Sequence, residues 1–185
     1  LSFFKTEIYG KVVEINENTI FLKDYKHDKE PERRFVFFYN KNDFETVGEL
    51  KFTFELARFV WFNNYIKLNG VKSAEIVFSK FLFQNPFLKS FAWLDGIEVG
   101  IRTFHVLFPL YVHKFNFQNS KLLTQYIKYT EEWLSSRLSL YSSANNHLIA
   151  EILGLSTIYL IQNKKTKHSK LLLNNYKNIL NQYNV

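Results

Sequence analysis

The sequence contains no cysteine and no methionine, and its 185 residues include only 6 glycines and 3 prolines. The absence of cysteine excludes disulfides and leaves the redox compartment open. The scarcity of glycine and proline favours long regular elements over a loop-rich scaffold. Because the chain does not begin with methionine, we expect it to be a fragment or a processed form.

The sequence also lacks a hydrophobic run long enough to cross a bilayer, which takes about 18–20 residues. Its longest candidate, residues 148–161, is interrupted by Glu151 and is predicted to be a buried helix. Hydrophobic residues make up 46% and charged residues 22%, which is typical of a globular protein. With 24 basic and 17 acidic residues the formal net charge is +7, which fits either a polyanionic partner or an ordinary solvated basic surface.

Residues 1–45 are predicted to form an N-terminal arm that is irregular or partly extended. Two short β-type runs, residues 8–15 and 19–22, flank the polar residues 16–18, a pattern that favours a hairpin. We expect this arm to pack onto the helices that follow it.

Residues 46–185 are predicted to form an all-α domain, because apolar residues recur at helical spacing from about residue 49 onward. Gly70, Pro86 and Pro109 supply signals for helix ends or kinks. The predicted helices span residues 49–69, 72–83, 95–109, 122–138, 146–161 and 170–183. Their short connections indicate antiparallel helical hairpins stacked side by side.

The segment 142–151 is the most informative stretch for function. Two serines near its start are good N-cap residues, so Asn145, Asn146 and His147 are expected in or near the first turn of a helix. The unpaired N–H groups and the positive dipole end of such a turn suit an anion. The structural alternative is that the two amides cap the helix while His147 pairs with Glu151 at i+4.

Three segments of the helical part carry short motifs: KFTFELARF at 51–59, N-P…W…I-E-V-G-I-R at 85–102, and SANNHLIAE at 143–151. In the same order and at similar spacing, they resemble the K-F-x-W-E-L-x-R, N-P…W…M-E-x-x-I-R and S-x-N-N-H-x-x-A-E segments of the heparinase II/III-like polysaccharide lyases. Three positions depart from residues common in that family: Phe54, Ala57 and Ile97.

The resemblance implies the N-terminal part of an α/α toroid, here incomplete, in an enzyme that cleaves uronic-acid-containing polysaccharide by β-elimination. Members of the family also use a catalytic Tyr and a further His downstream of the Asn-His pair, followed by a β-sandwich domain. Because this sequence ends at Val185, we expect the chain alone to be catalytically incomplete. The resemblance further implies a periplasmic or secreted location and no cofactor.

Such a lyase removes the proton at C5 of a uronic acid, which is α to the carboxylate, and expels the oxygen at C4. The carboxylate must be neutralised before a side chain of ordinary basicity can take that proton. By resemblance, Asn146 is the residue that neutralises the carboxylate, and His147 assists as a donor or as the base. These two are the predicted catalytic residues.

Five further residues are candidates for substrate binding: Arg102, Glu98, Trp93, Arg58 and Asn145. The pairs Glu98–Arg102 and Glu55–Arg58 have the i, i+4 and i, i+3 spacings of structural ion pairs. The functional alternative is that an arginine of one pair faces a cleft and binds a carboxylate or sulfate. Trp93 either stacks on a sugar ring or packs in the core.

The rival hypothesis from a different class is a non-catalytic helical module that binds an anionic glycan during polysaccharide assembly or export. A nucleic-acid binder is less favoured, since no docking motif is visible and the basic residues do not gather on one predicted helix. Four histidines, at positions 27, 105, 113 and 168, lack metal-ligand spacing, so no metal site is predicted. The resemblance to the lyases implies an acidic polysaccharide as the partner.

Overall fold

The computed structural model of the protein describes residues 4–16, 18–32, 34–39, 43, 50–140, 146–163, 174 and 177. These residues form a mostly helical fold with a small N-terminal sheet. The strands are β1 (Phe4–Ile8) and β2 (Lys11–Ile15), and the helices are α1 (Leu50–Glu55), α2 (Phe62–Gln84), α3 (Gly96–Val112), α4 (Lys121–Ser136) and α5 (Asn146–Gln162). The predicted domain boundary near residue 45 and the predicted helix 170–183 lie outside the described residues, apart from two isolated positions.

The N-terminal arm begins with a regular β-hairpin, and its described residues after Ile15 are irregular apart from a 3₁₀ turn at Val36–Phe38. Strands β1 and β2 pair antiparallel, with Phe4 opposite Ile15 and Ile8 opposite Lys11. The two turn residues between the strands, at positions 9 and 10, both have positive φ, 47° and 80°, as a two-residue hairpin turn of type I′ requires. The hairpin predicted around residues 16–18 is therefore wrong. Apolar residues lie close on both sides of the tight turn at positions 9 and 10, so residues 8–15 read as one continuous strand in the sequence.

The hairpin packs onto the helices, as predicted. Phe4, Ile8 and Ile15 are buried in the same hydrophobic cluster as the helical residues. The ring of Phe4 lies 5.7 Å from that of Trp61 and 5.2 Å from that of Tyr65, centroid to centroid. This contact fixes the hairpin against the start of α2.

The helix predicted over residues 49–69 is interrupted. Helix α1 ends in a short 3₁₀ turn, Leu56–Arg58, and Phe59 then adopts a left-handed conformation with φ of 59°. Phe59 is fully buried and its ring contacts Phe21, Phe62, Phe78 and Phe81. This packing offsets the strain of a non-glycine residue in that region, about 1–3 kcal/mol.

The remaining boundaries follow from local signals. Helix α2 ends at Gln84, just before Pro86 as predicted, and α3 begins after Asp95, whose carboxylate accepts the N–H of Ile97 at 3.1 Å. Helix α3 continues through Pro109 to Val112, so the predicted kink or stop at that proline does not end the helix. Helices α4 and α5 agree with their predicted spans to within two residues.

Helices α3 and α5 run parallel and touch backbone to backbone. Near their starts, Asp95 lies beside His147, and further along Gly100 lies against Ala150 and Gly154. A Cβ on Gly100 would stand 2.2 Å from the carbonyl oxygen of Ala150, so only glycine allows this approach. Helix α4 returns the chain between them. The two positive helix ends therefore lie on the same side of the fold.

Candidate functional site

The predicted Asn-His pair lies at the N-terminus of α5 and is accessible. Asn146 is the first residue of the helix and is exposed, while the side chain of His147 is 37% exposed. Asn145 and the two serines before it lie outside the described residues. Asn146 and His147 therefore lie at a helix start, as predicted, and both can be reached from solvent.

His147 contacts a carboxylate that the sequence did not link to it. Its Nδ1 atom lies 3.4 Å from Oδ1 of Asp95, and the same oxygen accepts the N–H of Ile97 as the N-cap of α3. A carboxylate beside Nδ1 orients the imidazole and leaves Nε2 to exchange a proton with a ligand. The parallel packing of α3 and α5 creates this pair, because it places one helix start against the other.

Glu151 does not form the ion pair with His147 that the structural alternative predicted. It is 1% exposed, and its carboxylate accepts the backbone N–H and the hydroxyl of Ser139 at 2.7 and 2.8 Å. A Cβ on Gly96 would stand 2.4 Å from this carboxylate, so α3 begins directly against it. Burial raises the pKa of Glu151, although the Ser139 hydrogen bonds lower it in part. Glu151 therefore joins α3, α5 and the segment after α4.

The Glu98–Arg102 ion pair predicted from their spacing is wrong. Glu98 instead binds Arg58, which donates from Nε at 2.8 Å and from Nη2 at 2.6 Å. Arg58 also donates from Nη1 to Glu55 at 3.0 Å, so the predicted pair between these two is confirmed. The hydrogen bond to Glu98 raises the pKa of the Arg58 guanidinium. With side chains that are only partly buried, Arg58 and Glu55 remain reachable from solvent, whereas Glu98 is buried.

Arg102 and Trp93 are buried, so the substrate contacts predicted for them are not possible in this conformation. The guanidinium of Arg102 donates to the carbonyl of Ala92 at 2.8 Å and lies over the rings of Phe81 and Trp93. The indole N–H of Trp93 donates to the carbonyl of Asn85 at 3.1 Å. Helical spacing identifies which residues share a face, but it cannot tell whether that face meets solvent or core.

Within the described part of the chain, no helix is long and apolar enough to cross a membrane, and no group of three or more His, Cys, Asp or Glu could hold a metal ion. Comparisons with protein-family models, curated proteins and solved structures found no match to this chain. The resemblance to lyase segments therefore stays a prediction from the motifs themselves.

Proposed function

We propose that this chain is the N-terminal helical part of a heparinase II/III-like polysaccharide lyase and forms part of an α/α toroid. The observation that carries the proposal is the accessible pair Asn146 and His147 beside Asp95, where the N-termini of α3 and α5 meet. Two parallel helices connected by a returning third helix are the arrangement that stacked helical hairpins produce. The proposed location is periplasmic or secreted, as the resemblance implies.

The proposed reaction needs a neutralised carboxylate and a base, and the site offers groups for both. The amide of Asn146, near the positive end of α5, donates to the C6 carboxylate of the uronic acid and stabilises the charge that develops as C5 loses its proton. His147, oriented through Nδ1 by Asp95, presents Nε2 as the base or as a donor. The base takes the proton from C5, the electron pair of that bond forms the C4–C5 double bond, and the glycosidic oxygen leaves C4 with its bonding pair and takes a proton from water.

Arg58 is a proposed substrate-binding residue. Its guanidinium is held by Glu98 in the first turn of α3, the same turn that follows Asp95. A guanidinium fixed in this way can bind a carboxylate or sulfate of a neighbouring sugar with little loss of side-chain entropy. Glu98 and Glu55 together offset the charge of Arg58, so its contribution to binding comes from the N–H groups that these carboxylates leave unused, not from net positive charge.

The test is cleavage by the full-length protein of a panel of uronate polymers, followed by the ultraviolet absorbance of the unsaturated product ends. Asn146→Ala and His147→Ala should each reduce turnover by about 100-fold or more, the usual contribution of such groups. Asn64→Ala, an exposed amide on α2, is the matched control and should leave turnover unchanged. If the Asn146→Ala enzyme stayed within about threefold of the parent, the assignment would be refuted. Binding without cleavage across the panel would favour the non-catalytic glycan-binding module instead.

A further inference from the structure

A second group of aromatic and basic side chains lies at the end of α4. The guanidinium carbon of Arg137, the residue that follows α4, lies over the ring of Trp133 at 4.0 Å and over the ring of Phe37 at 5.1 Å from the centroids. The ring of Phe35 lies 5.4 Å from that of Phe37 and 6.0 Å from that of Phe38. We refer to these five residues as the Arg137 cluster. The predicted site does not include any of them.

The turn that carries the three phenylalanines is fixed by its backbone and by one buried residue. Val36 is buried, and its backbone N–H donates to the carbonyl of Leu88 at 2.9 Å. The N–H of Phe38 donates to the carbonyl of Phe35 at 2.9 Å and closes the 3₁₀ turn. Phe37 and Phe38 are nevertheless 57% and 72% exposed. A contiguous patch of exposed rings on a fixed turn indicates a binding surface.

The guanidinium of Arg137 has N–H groups that the described part of the chain does not use. Among the described residues, no carboxylate forms an ion pair with Arg137, and its side chain donates no hydrogen bond. A guanidinium that lies over aromatic rings keeps its N–H groups along its edge, where two of them can donate in parallel to a carboxylate or sulfate. The ring contacts also restrict the side chain before a ligand arrives, which lowers the entropy lost on binding. Arg137 is therefore an exposed and partly oriented group for binding an anion.

The rings of the cluster indicate which kind of anionic ligand fits. Phe38 presents an open apolar ring in the same cluster as the guanidinium of Arg137. An acidic polysaccharide alternates anionic groups with the apolar faces of sugar rings, so it matches both features at once. An anionic membrane surface is typically bound through several basic residues close together, whereas the cluster contains Arg137 as its single basic residue.

The cluster lies at the same end of the helices as the Asn-His pair. Because α4 returns the chain between the parallel helices α3 and α5, its last residues lie where those two helices begin. Ser139, two residues after Arg137, donates to Glu151 of α5, and Glu151 lies against Gly96 at the start of α3. Residues two apart in a chain have Cα atoms within about 7 Å of each other. A polymer bound at the Asn-His pair would therefore reach Arg137 with a few sugars.

We propose that the Arg137 cluster is a binding subsite, in which Arg137 binds a carboxylate or sulfate group of an acidic polysaccharide and Phe38 contacts an adjacent sugar ring. The identity of the ligand as a polysaccharide rests on the proposed function, whereas the anion site rests on the contacts and exposure of Arg137 itself. A polymer bound here and at the Asn-His pair would cross the end of the fold where α3 and α5 begin and α4 ends.

The test measures binding of a sulfated and an unsulfated uronate oligosaccharide to the full-length protein at low and high salt. Arg137→Ala should weaken binding about five- to tenfold, because it removes charged hydrogen bonds at an exposed site. Arg137→Lys keeps the charge but not the planar group, so it should recover only part of this loss. The loss should shrink in high salt. Lys128→Ala, which removes an exposed charge elsewhere on α4, is the matched control and should bind like the parent.

The aromatic contact is tested by a separate pair of variants. Phe38→Ala should weaken binding about two- to fivefold without changing its salt dependence, because it removes apolar contact and no charge. Phe83→Ala, which removes a still more exposed ring on α2, is its matched control and should bind like the parent. Since Phe38 is exposed, Phe38→Ala should keep the thermal midpoint of the parent, and it tests the subsite even if Arg137→Ala lowers that midpoint.

The outcomes distinguish the subsite from the proposed function. If Arg137→Ala and Phe38→Ala both bind the oligosaccharides like the parent at low salt, the subsite is refuted, even if the enzyme cleaves its polymer. If no polymer is cleaved but both substitutions weaken binding, the subsite is supported and the lyase proposal fails. If a phosphatidylserine vesicle or a glutamate peptide of equal charge binds as tightly, with the same dependence on Arg137, the assignment to a polysaccharide is overturned.

Discussion

The backbone contact between α3 and α5 can be tested by adding a single methyl group. In Gly100→Ala the new Cβ would lie 2.2 Å from the carbonyl oxygen of Ala150, 2.5 Å from its carbonyl carbon and 2.9 Å from the backbone nitrogen of Glu151. All three are backbone atoms, so none can rotate away. Ordinary contacts of a carbon atom lie at about 3.5–4.0 Å, so the helices must separate by about 1 Å or more.

The cost of this separation can be estimated from the packing it removes. A gap of about 0.5–1 Å already loses a quarter to a half of the dispersion energy of the atoms along the interface. Overpacking of a tight core typically costs about 1–3 kcal/mol, and backbone atoms on both sides place this position at the upper end. The better helix propensity of alanine returns about 1 kcal/mol. We therefore expect a net loss of about 2 kcal/mol or more in the free energy of unfolding.

Urea unfolding of the parent and of Gly100→Ala measures this difference, with Gln125→Ala, an exposed residue on α4, as the control that should stay within about 0.5 kcal/mol. Helix propensity alone predicts that Gly100→Ala is more stable than the parent. A variant that is equally or more stable would therefore refute the close parallel packing of α3 and α5. It would also remove the reason for placing Asp95 beside His147.

Three further substitutions test the polar contacts inside the fold. Burial raises the pKa of Glu151, so ionisation of this carboxyl lowers the free energy of unfolding as the pH rises. Relative to the parent, Glu151→Gln should therefore be more stable at about pH 7 than at about pH 4 in urea unfolding. An equal difference from the parent at the two pH values would contradict this. Burial alone would raise the pKa of Asp24, but hydrogen bonds from His27 and Lys26 outweigh this effect and lower the pKa. In urea unfolding, Asp24→Ala should lower the free energy of unfolding by about 2 kcal/mol at neutral pH and by less below about pH 4. A loss that grows in acid would contradict this. By thermal unfolding, Arg102→Met should be at least as stable as Arg102→Lys, because a buried ammonium cannot reproduce the planar contacts of the guanidinium. If Arg102→Lys were the more stable variant, the positive charge rather than the planar contacts would account for the stability at this position.

Those parts of the fold that depend on neighbouring residues could be predicted from the sequence. Asp95 precedes α3 as a cap, Pro86 follows the end of α2, and Asn146 begins α5, because capping and helix-ending signals act within a few positions. The left-handed conformation of Phe59 could not be predicted, since a buried aromatic residue fits the helical pattern equally well in both conformations. Its ring contacts decide the outcome, and they involve residues distant in sequence.

The candidate site shows the same division. The position of His147 at a helix start is local and was predicted. Its contact with Asp95 depends on the close approach of α3 and α5 at Gly96, Gly100 and Gly154, which residue spacing does not encode. Glu98 was assigned to Arg102 because they share a helix face, whereas Arg58, forty residues away, is its partner. Ion pairs between distant segments outcompete i, i+4 pairs when they offer bidentate geometry and burial, which propensity rules do not weigh.

Helix α2 is interrupted at Gly70, where the sequence predicted the end of one helix before the start of the next. Gly70 has φ of 79° and ψ of 165°, a region open to glycine alone, although a Cβ there would meet no atom within 4 Å. The residues before it, such as Tyr65, support the hairpin, and those after it, such as Phe78, support α4 through Tyr126. Any other residue at position 70 would be strained in this backbone conformation by about 1–3 kcal/mol, although its side chain would meet no neighbour.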